Sequence, residues 1–311
     1  MKRLWKVLLI MGLVCVLAGG IFAAVLGFCF SDEIVAHKEH FISENYVSFL
    51  DNFRWRDRFY LRQDGLYYNA SECKESCYYE VAKEEIHTIC FEFAVGEIRI
   101  ITGETMSVQV TDMFENAISS EVEDGVWYIK DSLIEHGRVY SGYAPTIEIV
   151  LPAEKIFDKI QIQVAAGTFT AEELRAKEMI LEVDAGSMQV QQLYSKERLE
   201  LTNGVGEMTL LSVEANNVIA DNGVGAMYIS GKITGQNNIK CGIGEVNILL
   251  CGRDDIDFNY DVNCGIGEVV INNSKHYGMG HHHNNSHHGN TSSRDYFYLD
   301  CGIGCIRLDL E

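Results

Sequence analysis

The chain has 311 residues, and 47% of them are hydrophobic, which excludes a globally disordered protein and allows one large domain or two modest ones. The net charge of −20 excludes nucleic acid as a partner, because phosphate binding needs clustered Lys and Arg. With 28 glycines and only 2 prolines, the composition favours repeated tight bends between strands over a flexible linker.

The first predicted element is an apolar segment near the N-terminus. Residues 7–30 contain no charge, and as a helix they would span about 36 Å, enough to cross a bilayer. Basic residues precede this segment and acidic residues follow it, so the positive-inside rule places the N-terminus in the cytoplasm. We therefore predict a cytoplasmic tip and one transmembrane anchor over residues 1–30. A cleaved signal peptide is the alternative, although the apolar run is long and ends without a clear small-residue cleavage site.

Residues 31–84 lack the regular pattern of the rest of the chain, and we predict a stalk or a cap. Cys73 and Cys77 lie four residues apart, and Cys90 lies beyond them. A disulfide in a loop is one interpretation. A metal site is less favoured, because no second close pair of cysteines completes four ligands.

Three runs of alternating hydrophobicity follow, and they predict strands joined by longer loops. The sequence Glu-Asp-Gly at 123–125 separates two alternating stretches, which is typical of a β-hairpin. Pro145 and Pro152 bracket the third run, which favours an edge or entry strand.

The dominant signal is an internal repeat. From Gly167, similar units recur at steps of 19, 20, 19, 19, 23 and 37 residues, and the last two steps indicate the same unit with insertions. A weaker copy, FAVGEIRI, contains Gly96. The best copies read TNGVGEMTL, DNGVGAMYI, KCGIGEVNI, NCGIGEVVI and DCGIGCIRL, and they align on Gly206, Gly225, Gly244, Gly267 and Gly304.

Each unit predicts a strand, a corner and a second strand. The second and fourth residues after the glycine are apolar, as in Met208 and Leu210, and the residues between them are mostly polar. This period of two indicates one buried face. Before the glycine, the first, third, fifth and seventh preceding residues are predicted to point inward, so the phase changes at the glycine itself. Units of this kind, stacked about 4.8 Å apart, form a parallel β-solenoid of about 19–20 residues per coil.

One of the predicted inward columns contains polar residues. If the coils stack in sequence order, Asn203 lies on Asn222, and their amides form a short hydrogen-bonded ladder. Three cysteines then form a second ladder, interpreted as small apolar filler. A disulfide between them is permitted outside the cytoplasm, but the coil spacing is slightly long for an unstrained bridge. The full column reads Val164, Val183, Asn203, Asn222, Cys241, Cys264 and Cys301.

A loop insertion at 275–295, rich in His, Asn and Gly, separates the last two coils. Its imidazoles are candidate ligands for Zn²⁺, Ni²⁺ or Cu²⁺. The alternative is a flexible low-complexity loop that binds divalent metal only adventitiously, and no cofactor is predicted. The candidate ligands are His281, His282, His283, His287 and His288, with His276 nearby.

These repeats resemble the bacterial adhesin-like family known as domain of unknown function 4097. The resemblance lies in FAVGEIRI, VAAGTFTA, VDAGSMQV and the stronger copies above, together with the strand IEIVLP, and it covers residues 85–311. It implies an all-β, right-handed parallel β-solenoid, here preceded by one N-terminal transmembrane helix. It implies no catalytic residue, and members often carry Asp where this chain has Glu207, Glu245 and Glu268.

The function predicted is that of a non-catalytic, membrane-anchored module outside the cytoplasm, an adhesin or scaffold that binds a surface protein or a glycan. One alternative is an envelope sensor or a regulatory partner of a membrane system. A less favoured alternative is a polysaccharide-active β-helix enzyme, because Glu207, Glu245 and Glu268 recur in one outward column. Ala226 interrupts that column, which favours a feature of the repeat over a catalytic pair.

Overall fold

The computed structural model of the protein describes residues 75–113, 117–131, 144–253, 256–279 and 293–311. Throughout these ranges the regular structure is strand, which confirms the predicted all-β class. No helix in the described ranges could span a membrane, and the anchor predicted at residues 7–30 lies outside them. The strands are β1 Glu75–Val81, β2 Thr88–Gly103, β3 Met106–Met113, β4 Ile118–Glu123, β5 Val126–Asp131, β6 Thr146–Pro152, β7 Phe157–Asn216, β8 Val218–Thr234, β9 Gln236–Leu250, β10 Asn259–Ile271, β11 Ser274–Met279 and β12 Tyr296–Leu310.

The strands form one continuous sheet in the order β1-β3-β6-β2-β7-β8-β9-β12-β10-β11. Strand β7 alone runs through three coils, whose corner glycines Gly167, Gly186 and Gly206 stack on one another. The next corners follow in parallel register, with Gly206 opposite Gly225 and Gly225 opposite Gly244. The predicted solenoid of about 19–20 residues per coil is therefore confirmed.

The core fills the interior of the stack. Met208 and Leu210 after a corner are buried, and Leu199 and Leu201 before it are buried as well. The same alternation in every coil produces one apolar cluster that runs from Ile86 to Leu308. Each coil thus covers the apolar face of its neighbour, which a single coil could not do alone.

The N-terminal end of the sheet is antiparallel. Strands β4 and β5 form the predicted hairpin, and its turn residues Asp124 and Gly125 both have positive φ. Strand β6 is parallel to β2 on one side and antiparallel to β3 on the other. Of the two alternatives predicted for this run, the edge strand is therefore wrong, because β3 pairs with its open side. The entry strand agrees with the structure, since β6 directly precedes the coils of β7. Beyond β3 lies β1, which falls within the range 31–84 predicted as a stalk or cap.

The last two coils do not stack in sequence order. Strand β12 inserts between β9 and β10, with Cys301 opposite Cys241 on one side and opposite Cys264 on the other. The sequential order expected from the repeat is therefore wrong at this end. The insertion between β11 and β12 is long enough for the chain to cross back past β10, so that β12 lies between β9 and β10. Arg253 fixes the return, because its guanidinium pairs with Asp295 directly before β12 and also donates to the carbonyl of Ile233 at 3.1 Å.

Candidate functional site: the glycine corner

The corner of most coils is built on a glycine with positive φ. Gly206, Gly225, Gly244 and Gly304 have φ between +131° and +147°, a region that L side chains rarely adopt. The bend begins two residues before the glycine, so the residue directly before it stands at the convex apex. The prediction that this residue points inward is wrong, because it is not buried in any of these coils. It is half-buried at Val205 and Val224 and exposed in the last three coils.

The outward apex residues are all aliphatic and form what we call the corner stripe. In stacking order its members pair directly across neighbouring coils. The last three are the most exposed, with 37% for Ile243, 36% for Ile303 and 54% for Ile266. Four steps of about 4.8 Å give the stripe a length of about 19 Å. The corner stripe consists of Val205, Val224, Ile243, Ile303 and Ile266.

Packing explains the glycines on both sides of the stripe. A Cβ on Gly204, Gly223 or Gly242 would lie 2.4–2.6 Å from a carbonyl oxygen of the preceding coil. A Cβ on the corner glycine Gly244 would meet the carbonyl oxygen of Gly225 at 2.0 Å. Glycine is therefore required at both flanking positions, and the aliphatic residue is the one side chain that projects from the apex. The repeated string Gly-Val/Ile-Gly was the signal for this surface in the sequence.

A row of carboxylates follows the stripe, at the residue after each corner glycine. The strand register places Glu207, Ala226, Glu245, Cys305 and Glu268 side by side in that order. Because β12 inserts between β9 and β10, a glutamate now occurs on every second coil, about 9.6 Å from the next. Sequence order hides this spacing, since it puts Glu245 and Glu268 on consecutive units.

The charges of this row are only partly neutralised. Glu268 pairs with Lys275 at 3.3 Å, whereas Glu207 and Glu245 are exposed and have no ion pair with another described residue. The pKa of the Cys305 thiol is raised, first by burial and then by the charges of Glu268 and Glu245. The row therefore presents negative charge beside an apolar ridge.

Inside the corner, the predicted asparagine ladder is present. The Asn203 amide donates to Oδ1 of Asn222 at 2.6 Å and to the carbonyl of Gly206 at 3.1 Å. The Asn222 amide donates to the carbonyl of Gly225 at 3.1 Å. Both side chains are fully buried, and their bonds satisfy the carbonyls of two half-buried corner glycines. The ladder therefore links the corners of two neighbouring coils from within.

The cysteine ladder is also present, but in the stacking order Cys241, Cys301 and Cys264. All three are buried free thiols. The pKa of Cys301 is raised by its hydrogen bond with Cys241 and by burial. Cys77 and Cys90 are free thiols too, and Cys73 lies outside the described residues.

The predicted metal ligands of the histidine-rich loop lie outside the part of the chain that the structure describes. Within that part, no group of three His, Cys, Asp or Glu side chains is arranged to hold a metal ion. The loop itself remains a prediction, because it lies outside the described residues. The ligands concerned are His281, His282, His283, His287 and His288.

A surface depression of about 290 Å³ lies on another part of the solenoid. No motif in the sequence indicated it. Its volume is at the lower limit of small-molecule sites. Tyr194, Lys196 and Lys232 contribute to its lining, and Glu214 is its one carboxylate. It therefore lacks the pair of acids that glycoside hydrolysis uses.

The comparison with protein families accords with this architecture. The family model described as Toastrack DUF4097 matches residues 86–293. The chain belongs to this family. The resemblance stated from the repeats is thereby confirmed, and the family match begins just before β2 and ends just before β12. No curated protein matches the chain.

Solved structures similar to this chain include three bacterial proteins. A "putative cell adhesion protein" from Clostridium sporogenes is 19% identical with a TM-score of 0.38, and the match covers 76% of this chain and 100% of that one. A "putative adhesin" from Bacteroides fragilis is 13% identical with a TM-score of 0.38, covering 76% and 98%. A "putative adhesin" from Parabacteroides distasonis is 12% identical with a TM-score of 0.34, covering 75% and 96%.

Proposed function

We propose that this Toastrack protein is a non-catalytic binding module on the bacterial cell surface, where it engages another surface protein or a glycan. The corner stripe carries the proposal. Monomeric proteins rarely expose contiguous apolar side chains along a rigid edge unless another molecule covers them. Stacked coils offer an extended and regular face of this kind. The single carboxylate of the surface depression supports the absence of hydrolytic chemistry there.

The location of the module follows from the N-terminal segment. We propose that residues 7–30 cross the cell membrane once and that Met1–Lys6 stays in the cytoplasm, which leaves the solenoid outside. The solenoid would wind to the right, as parallel strand connections nearly always do. The second candidate, an envelope sensor, would need a partner within the membrane to carry its signal across.

A topology experiment tests the location. With an epitope fused after Glu311, external protease should remove the epitope from intact cells that have lost their outer wall layers. Reversing the charges of Lys2, Arg3 and Lys6 should protect part of it, because these residues set the orientation. An epitope that stays intact until the membrane is lysed contradicts the proposal.

A second experiment tests the activity. The full chain in phosphatidylcholine nanodiscs is applied to arrays of bacterial surface glycans and envelope proteins, with empty discs as the blank. We expect retention without release of reducing sugars. Release of reducing ends would show that the protein is an enzyme. Stoichiometric co-purification with one transporter or kinase from detergent-solubilised membranes would favour the sensor.

A further inference from the structure

We propose that the corner stripe and its flanking glutamates form a docking site for a basic amphipathic helix of another protein. This inference rests on the proposed function as a binding module and names the class of partner. The helix would lie along the stack, with its apolar side chains on the stripe and its Lys or Arg side chains beside Glu207 and Glu245.

The fold does not require aliphatic residues at the apex. In the two coils before Val205, the same position holds Ala166 and Ala185, and the coil closes in the same way. The carboxylate position in those two coils holds Thr168 and Ser187. Branched aliphatic residues therefore occupy the apex of each of the last five coils, and a glutamate follows the glycine in three of them. The coil of Gly96 has the same pair, Val95 and Glu97, but the two alanine coils separate it from the corner stripe.

The spacing of the carboxylates distinguishes between kinds of partner. Side chains seven residues apart on an α-helix are separated by about 10.5 Å along its axis, close to the interval of about 9.6 Å between Glu207 and Glu245. Side chains on one face of an extended strand repeat at about 6.6 Å, which does not match. The stripe of about 19 Å corresponds to about 13 residues of helix.

Charge decides against a second copy of this chain. The chain carries a net charge of −20, so two copies repel each other, and two stripes packed antiparallel would also bring their glutamate rows together. Like charges across an interface are unfavourable, whereas a basic row opposite Glu207 and Glu245 is complementary. Lys275 already neutralises Glu268, so the two exposed glutamates should contribute most.

The test uses a synthetic peptide probe of three heptads. Each heptad has leucine at two positions that share one face of the helix and lysine at one position beside that face. Alanine and glutamine occupy the other positions. Binding to the full chain in phosphatidylcholine nanodiscs is measured by fluorescence anisotropy, with empty discs subtracted. We expect this probe to bind at least tenfold more tightly than a scrambled peptide of the same composition. Equal binding of the two peptides, or tighter binding of an alternating valine–lysine strand peptide, would overturn the proposal.

Matched variants locate the site. Ile243→Thr combined with Ile303→Thr should weaken binding of the probe about tenfold, because two half-exposed aliphatic contacts are lost. Ile156→Thr should leave binding unchanged, since Ile156 is 47% exposed but lies outside the stripe. These side chains point outward, so circular dichroism should show an unchanged fold.

Two double variants test the contribution of the glutamate charges. Glu207→Gln with Glu245→Gln should weaken binding and flatten its salt dependence, whereas Glu178→Gln with Glu214→Gln makes the same charge change elsewhere on exposed residues. Equal loss in both pairs would indicate unspecific attraction to an acidic protein and would refute the site. Self-association of the full chain that Ile243→Thr abolishes would point to a second copy instead. If the peptide does not bind, the topology result is unaffected. If the topology experiment fails, the measured binding of the peptide is unaffected.

Discussion

Replacement of Gly244 by alanine tests the stacking of the corners most directly. Gly244 has φ +136°, and a Cβ there would lie 2.0 Å from the carbonyl oxygen of Gly225 and 2.9 Å from its carbonyl carbon. The unfavourable φ costs about 1–3 kcal/mol. Overpacking against backbone, which cannot rotate away as a side chain can, costs about 1–3 kcal/mol more. We therefore expect a loss of about 2–6 kcal/mol in the free energy of unfolding.

Gly252→Ala is the matched control. Gly252 also has positive φ, at +78°, but nothing lies within 4 Å of the Cβ position. It should cost only about 1–2 kcal/mol, which is the conformational penalty alone. Urea unfolding of both variants, followed by far-UV circular dichroism, measures the difference. If Gly244→Ala is no more destabilising than Gly252→Ala, the corners do not stack as described.

Three further predictions follow from contacts within the stack. Asn222→Val should cost about 1–3 kcal/mol of unfolding free energy, because it removes one acceptor of the buried Asn203 amide and the donor to the carbonyl of Gly225. An unchanged urea midpoint would contradict the ladder. Arg253→Gln should speed amide hydrogen exchange in β12, because it removes the ion pair with Asp295 directly before that strand. Arg307→Gln, at an exposed site, should not change the exchange rate. Equal exchange in the two variants would refute the role of the ion pair. The Glu172 carboxylate accepts hydrogen bonds from Thr102, which hold its pKa below its ordinary value. Its stabilisation is therefore present at neutral pH and lost as the pH falls through the lowered pKa, so Glu172→Gln should destabilise only at the higher pH in a pH series of thermal melts.

The repeat predicted the core correctly wherever the chain is extended. Met208 and Leu210 lie inside as the period of two indicated, and the Asn203–Asn222 ladder forms because equivalent positions of consecutive coils stack directly. The pattern failed at the apex, where Ile243 is exposed although alternation puts it inside. A period of two describes a straight strand. It does not describe a bend that starts two residues before the glycine.

Local sequence also could not assign neighbours. The strand at 146–152 gained β3 on its open side, because long loops let the chain return there. The long insertion before β12 likewise allows either the unit at Gly267 or the unit at Gly304 to lie beside β9, and the sequences of the two units do not distinguish between these arrangements. Both units present the same side-chain pattern, so either would pack on the preceding coil.

The sequence by itself determined the class of the fold, the length of a coil and the identity of most inward side chains, because these depend on local periodicity and on where glycine is required. The tertiary structure decided the order of the last coils, through the return of the chain past Arg253 and Asp295. That order in turn placed Ile303 between Ile243 and Ile266 and set the glutamates on alternate coils. The candidate surface is thus a product of non-local pairing, which no window of sequence contains.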